Sequence, residues 1–177
     1  LIFIDEGTIA LAVLGHMPIL RVLRCLPMKR TFWIDTDTAS DDAVALIMAF
    51  MNPDIEVVGL SIVAGNVPLD MGVQNALYTA ELCAANAPIY VGAAKPLSRD
   101  LGTAQFVHGE DGMGDIGLPL SGRTPASGNA VDKLIESIHR HAGHIELVTL
   151  GPLTNIALAL QQDPSIAKAV KRCVVMG

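Results

Sequence analysis

The chain is short of charge. Asp, Glu, Lys and Arg make up 17% of its 177 residues and hydrophobic residues 51%, a balance that excludes a disordered chain and points to buried strands. Cations are the minority, 12 Lys and Arg against 18 Asp and Glu, and they form no basic stripe. A nucleic-acid backbone is therefore not an expected partner, whereas a cation or a small polar substrate is. Cysteine is scarce and odd in number. Cys25, Cys83 and Cys173 form no CxxC pair, which argues against a disulfide framework or zinc ribbon. A reducing cytosol follows as the default compartment, with the thiols expected in the core. No uninterrupted apolar run reaches the roughly 18–20 residues of a membrane span. Internal repeats and low-complexity segments are missing as well. Residues 1–27 lack the basic start of a signal peptide, because their early charges are Asp5 and Glu6. The natural opening is expected at Met28-Lys29-Arg30, with residues 1–27 an atypical extension.

From Thr31 onward strand and helix patterns alternate. Strands are expected over 31–37, 55–65, 88–93, 145–150 and 173–177, and helices over 41–52, 67–85, 128–142, 152–162 and 164–172. Between them, residues 94–127 carry many Gly and Pro and no strong periodicity, as a functional loop does. This order predicts an open, mainly parallel α/β sheet flanked by helices. In such sheets ligands bind beyond the carboxyl ends of the strands. The unusual polar residues fall there: Asp35 and Asp37 after the first strand, Gly65-Asn66 after the second, Gly151 after the fourth.

The densest of these features is "WIDTDTASDDAVAL", residues 33–46. Asp35 and Asp37 share one side of a strand end, and a turn brings Asp41 and Asp42 back in the first turn of a helix, with Ser40 as a plausible N-cap. Carboxylates this close repel unless a cation lies among them or one takes up a proton. A hard cation with oxygen ligands is the natural occupant. An EF-hand is excluded, since Ala39 and Ser40 stand where that loop needs an acid or amide and then glycine. Elsewhere, Trp33 is expected in the core, Met48 and Met51 in helix packing, and Asn155 in local backbone bonding. Glu110, Asp111 and the imidazoles of His139, His141 and His144 are expected to be solvated.

"DTDTASDDAVAL" resembles the DxDxxxDD signature of the inosine-uridine preferring nucleoside hydrolases. "VAGNV", "YVGAAKPL", "HGEDGMG", "LGPLTNIALAL" and "VVMG" are similar to that family's later blocks, in the same order, so the resemblance covers about residues 29–177. It implies a nucleoside hydrolase-like, Rossmann-like fold and calcium-dependent hydrolysis of the N-glycosidic bond of ribonucleosides. By resemblance, Asp37 and Asp42 are calcium ligands, with the backbone carbonyl of Leu150, and Asp37 is also the general base for the attacking water. Asp41 would bond the ribose hydroxyls, Asn66 and His108 would line the pocket near ribose and water, and Asp35 would support the others. A homo-oligomer, dimer or tetramer, is implied for a full-length member.

Two departures accompany the resemblance. Thr38-Ala39 stands where many members have Pro-Gly, which predicts a turn without positive φ. Residues 28–177 also match only the N-terminal part of such a domain. A chain truncated after its fifth strand would lack the last calcium-binding acid and would be catalytically weak by itself. Two other readings compete: a magnesium-dependent DxD-type phosphatase, which would use "DTDTA" but has no need of Asp41-Asp42, and a non-catalytic fragment that keeps only metal or partner binding.

Overall fold

The computed structural model describes residues 29–176, together with the backbone of 2–5, 8–11 and 23–24. Those three short stretches are strands β1 (Ile2–Asp5), β2 (Thr8–Leu11) and β3 (Leu23–Arg24), paired antiparallel in the order β1-β2-β3. The rest of the expected N-terminal extension, with Cys25, lies outside the described residues.

The main body follows the alternation read from the sequence. It runs β4 (Arg30–Thr36), α1 (Ser40–Met51), β5 (Ile55–Ile62), α2 (Leu69–Leu82) and β6 (Ile89–Val91). It continues with α3 (Gln105–His108), α4 (Ala130–Arg140), β7 (Ile145–Thr149), α5 (Thr154–Gln162), α6 (Ile166–Ala169) and β8 (Arg172–Val175). The five long-range strands form one parallel sheet in the order β6-β5-β4-β7-β8. The chain builds outward from β4 to β6, then crosses to the other side of β4 for β7. The strand order therefore reverses at β4, and the crevice of a doubly wound sheet opens beyond its carboxyl end.

Period-2 alternation divides β4 between two cores. Phe32 and Ile34 join Leu46, Leu60, Ile62, Val73 and Ala76 under α1 and α2. Trp33 joins Leu134, Ile138, Ile145, Leu147 and Ile156 under α4 and α5. Trp33 is buried as expected, stacked on Tyr90 with ring centroids 5.9 Å apart. Burial on both faces fits the apolar centre of β4, Phe32-Trp33-Ile34.

Several expectations fail. Met48 and Met51 are 69% and 66% exposed, and Met48 lies at an open groove whose other walls include Phe32, Ile34 and Val148 of the sheet. Cys83 is half-buried where α2 ends, and Cys173 is exposed on edge strand β8. Ser40 is the first helical residue rather than the cap of α1. Ala39 caps instead, with extended backbone at φ −114° and ψ −165°, and its N–H donates to the Asp42 carboxylate at 3.0 Å. The negative φ agrees with the reading of Ala39. Residues 94–127 are mostly loop, interrupted by the four-residue α3.

Candidate active site at the carboxyl end of the central strand

Three carboxylates are buried around the end of β4: Asp35, Asp37 and Asp42. Asp35 lies deepest, fully buried one residue before the end of β4. Its Oδ2 accepts from the Ser61 hydroxyl and from Asn155 Nδ2 at 2.8 Å, while Oδ1 is buried without a partner. Ser61 in turn accepts from Trp33 Nε1 at 2.9 Å, so the indole, the hydroxyl and the carboxylate form one chain of bonds. Burial, only partly opposed by these bonds, pushes the Asp35 carboxyl up to about 7.

Asp37 stands where the strand gives way to the turn. Oδ2 accepts from the Asn66 backbone N–H at 2.7 Å, and Oδ1 is buried with no hydrogen-bond partner. Two glycines make room for this carboxylate. A methyl group at Gly65 would overlap Oδ2, and one at Gly151 would lie 2.5 Å from Oδ1. Glycine is required at both by close approach. Burial raises the Asp37 carboxyl above the ordinary value against the pull of the Asn66 N–H.

Asp42 is the third residue of α1. Its Oδ2 accepts from the Ala39 N–H and, at 3.4 Å, from Asn66 Nδ2. Burial first, then the neighbouring charges of Asp37 and Asp41, push it up to about 6. Asn66 thus touches both acids, through its backbone and its side chain. Its carbonyl also accepts from Ala104 N at 2.8 Å, which fastens the long loop to the site. Asp41 points outward at the rim, with its side chain 59% exposed and Oδ1 3.7 Å from His108 Nδ1. The same imidazole nitrogen lies 3.3 Å from Ser40 Oγ. Leu150 follows β7, its N–H bonded to the Asp35 carbonyl at 2.8 Å, immediately before the Gly151 that faces Asp37.

The fold therefore gathers Asp35, Asp37, Asp41, Asp42, Asn66, His108 and Leu150 from four separate segments. Two partners went unrecognised in the sequence. Asn155 was expected to bond local backbone. It is instead fully buried and spans three segments: it bonds Asp35, donates to the Ile62 carbonyl at 3.2 Å and accepts from Ala93 N at 2.9 Å. Asn75 on α2 donates to the carbonyls of Thr38 and Asp111 at 3.1 and 3.0 Å, tying the acidic turn to the loop of His108. Each is a polar residue on the buried stripe of its helix, and that position was the available signal. Asp111 is not simply solvated, because its Oδ1 accepts from Met113 N and Asp115 N within that loop.

As a receptor, the site is hard and anionic. Its buried donors are oxygens, and one of them, Asp37 Oδ1, lacks any partner. In kind, these residues fit an oxygen-seeking divalent cation. In number they fall short: among the described residues no group of three or more His, Cys, Asp or Glu side chains could hold a metal ion.

The family model described as inosine-uridine preferring nucleoside hydrolase matches residues 32–177. Uridine nucleosidase 1 of Arabidopsis thaliana is 39% identical over 146 residues, covering 81% of this chain and 44% of that protein. The pyrimidine-specific ribonucleoside hydrolase RihB of Escherichia coli is 38% identical over 150 residues, with 84% and 48% covered. Among solved structures, the plant nucleoside hydrolase PpNRh1 superposes with a TM-score of 0.79 at 37% identity, over 84% of this chain and 48% of that one. The purine-preferring ribonucleoside hydrolase from Gardnerella vaginalis gives 0.78 at 33% identity, over 83% and 48%. The chain thus spans about half the length of the relatives it matches.

Proposed function

The chain belongs to the inosine-uridine preferring nucleoside hydrolase family, and from that premise we propose that it carries the acidic half of an active site for hydrolysing the N-glycosidic bond of ribonucleosides to ribose and free base. The observation that carries the proposal is Asp37, a carboxylate held by the Asn66 N–H and two close glycines with one buried oxygen left unpartnered. Calcium is the ion that best suits such an all-oxygen set, held by Asp37, Asp42 and the Leu150 carbonyl. When bound, the ion would polarise a water and lower its pKa.

The remaining chemistry falls to the chain's own residues. Asp37, fixed in orientation, takes the proton of the attacking water as general base. Asp41, exposed at the rim, accepts from the ribose hydroxyls and positions the sugar. Asn66 keeps Asp37 and Asp42 in mutual register. His108 closes the rim beside Asp41. Asp35 sets the floor and touches no substrate, since it is completely buried behind Ser61 and Asn155. The acidic ring favours the positive charge that develops on the sugar in an oxocarbenium-like transition state. The same burial speaks against the phosphatase reading, whose nucleophile would be Asp35 and would have to reach a phosphorus atom.

Two carboxylates and a carbonyl do not fill a calcium shell of about 6–8 oxygens. We infer that the described residues supply only part of the ligand set, so that this chain by itself turns over little or no nucleoside. A cytosolic location and a homo-oligomer when full length belong to the same reading. Among the described residues no helix is long and apolar enough to cross a membrane. The test is an assay on inosine and uridine with the 177-residue chain. Absent or feeble turnover is expected, and turnover near a full-length hydrolase's rate overturns the half-site reading. Release of phosphate from a simple phosphoester would favour the phosphatase.

A further inference from the structure

At the opposite, amino end of the sheet, a cavity of about 590 Å³ opens between the start of β4, the end of α4 and the turn before β8. Its wall holds Lys29, Arg30, Arg140 and Lys171, four of the chain's twelve Lys and Arg, with His141 and His144 beside them. Glu56 is the one acid in that wall. A third of the cations around one cavity is unexpected in a chain with a net charge of −6.

Two of these wall residues, Arg30 and Lys171, belong to an ion cluster centred on Glu146 beside the cavity. Glu146, 2% exposed, accepts from Arg30 Nε at 3.1 Å and Nη2 at 2.7 Å, and from Arg172 Nε at 3.0 Å. Lys171 Nζ lies 3.6 Å from its other oxygen. One carboxylate would be neutralised by one guanidinium fork. Here three cations converge on it, so the cluster keeps a surplus of positive charge. The bonds to Glu146 also fix the Arg30 fork, which reduces the entropy lost when a ligand binds. Arg140 has another commitment, an i,i+4 ion pair with Glu136 near the end of α4. Lys29 has no ion-pair partner among the described residues. The cations available to a ligand are therefore Lys29, Lys171 and the outer edge of Arg30.

We propose that this cavity is a binding site for a small phosphate-bearing anion, separate from the acidic site and at the other end of the same strands. Nucleoside, ribose and base carry no phosphate, so the ligand is not a reactant of the hydrolysis proposed above, and the inference stands whether or not that reading holds. Fixed guanidinium donors and two point-charge ammonium groups suit phosphate oxygens.

The experiment is calorimetric titration of the 177-residue chain in 150 mM salt with inorganic phosphate, pyrophosphate and ribose 5-phosphate in turn. Saturable one-to-one binding is expected for at least one probe. Tightest binding of ribose 5-phosphate identifies an ester site, and tightest binding of phosphate or pyrophosphate an inorganic one. Lys29→Ala combined with Lys171→Ala should weaken binding at least tenfold, and the charge reversals Lys29→Glu and Lys171→Glu should abolish it. Asp37→Ala should leave it unchanged. All four lysine substitutions are at exposed positions, and an unchanged far-ultraviolet circular dichroism spectrum verifies folding. The proposal is overturned by lack of saturable binding of any probe, by equal binding of sulfate at the same salt, or by binding that survives charge reversal.

Discussion

Strands β4 and β7 lie side by side and carry a buried carboxylate at each end. Asp35 sits at the carboxyl end, opposite Thr149, and Glu146 at the amino end, opposite Phe32. Both are almost fully buried, yet their chemistry is opposite. Glu146 is gripped by Arg30 and Arg172, which hold its carboxyl down to about 2. Asp35 has only neutral donors and an acidic neighbour in Asp37, and burial drives it up to about 7. Glu146 comes with its counter-charges built in. Asp35, Asp37 and Asp42 come without one among the described residues, and that is the counter-charge that the cation proposed above would supply.

The sharpest way to break this contrast is to remove Glu146. Glu146→Ala leaves three cations facing one another and should cost about 2–3 kcal/mol in urea unfolding at pH 7. The loss stays below that of a fully buried pair, because the stranded Arg30, Lys171 and Arg172 are about half exposed and can rehydrate. At the other end, Gly151→Ala should cost about 1–3 kcal/mol, since the added methyl would meet Asp37 Oδ1 at 2.5 Å. It should also abolish calcium binding in calorimetry. Calcium binding at wild-type strength would show that the Asp37 pocket is not the site.

The two ends should also titrate in opposite senses. Glu146 has a lowered folded-state value, so its stabilisation is complete above its unfolded value of 4.5 and is lost as the pH falls toward about 2. Asp35 has a raised one. Its contribution is complete below 3.8, where it is protonated in both states, and is lost as the pH rises through about 7. Without divalent ions, urea midpoints should therefore fall on both sides of a maximum near the weakly acidic range. Asp35→Asn mimics the neutral acid and should flatten the alkaline side, gaining up to about 4 kcal/mol at pH 8 and close to nothing at pH 4. Equal effects of Asp35→Asn at both pH values would mean that the carboxylate is not destabilised by burial.

Much of this contrast could be read from the sequence at one end and little of it at the other. The acidic end announces itself because four Asp residues crowd into a short strand-to-helix turn. The alternation of strand and helix places that turn at a ligand crevice. The parallel sheet and its five strands were likewise legible, because hydrophobic periodicity is local. What the sequence concealed is long-range. Glu146 meets Arg30 across 116 residues and Asn155 meets Asp35 across 120, and no local pattern links either pair. The exposure of Met48, Met51 and Cys173 was hidden for a related reason. Periodicity identifies an apolar face, but only the packing tells whether an element of this chain covers it.

The central claim is that the acidic end takes its counter-charge from a bound cation. Thermal unfolding of the chain at pH 7.5, with and without saturating calcium, tests it most directly, with Asp37→Ala as the comparison. Calcium at 100 times its dissociation constant should stabilise the wild type by about 2.7 kcal/mol and raise its midpoint, while leaving that of Asp37→Ala unmoved. The same midpoint for the wild type with and without calcium, or an equal rise in Asp37→Ala, would contradict the claim.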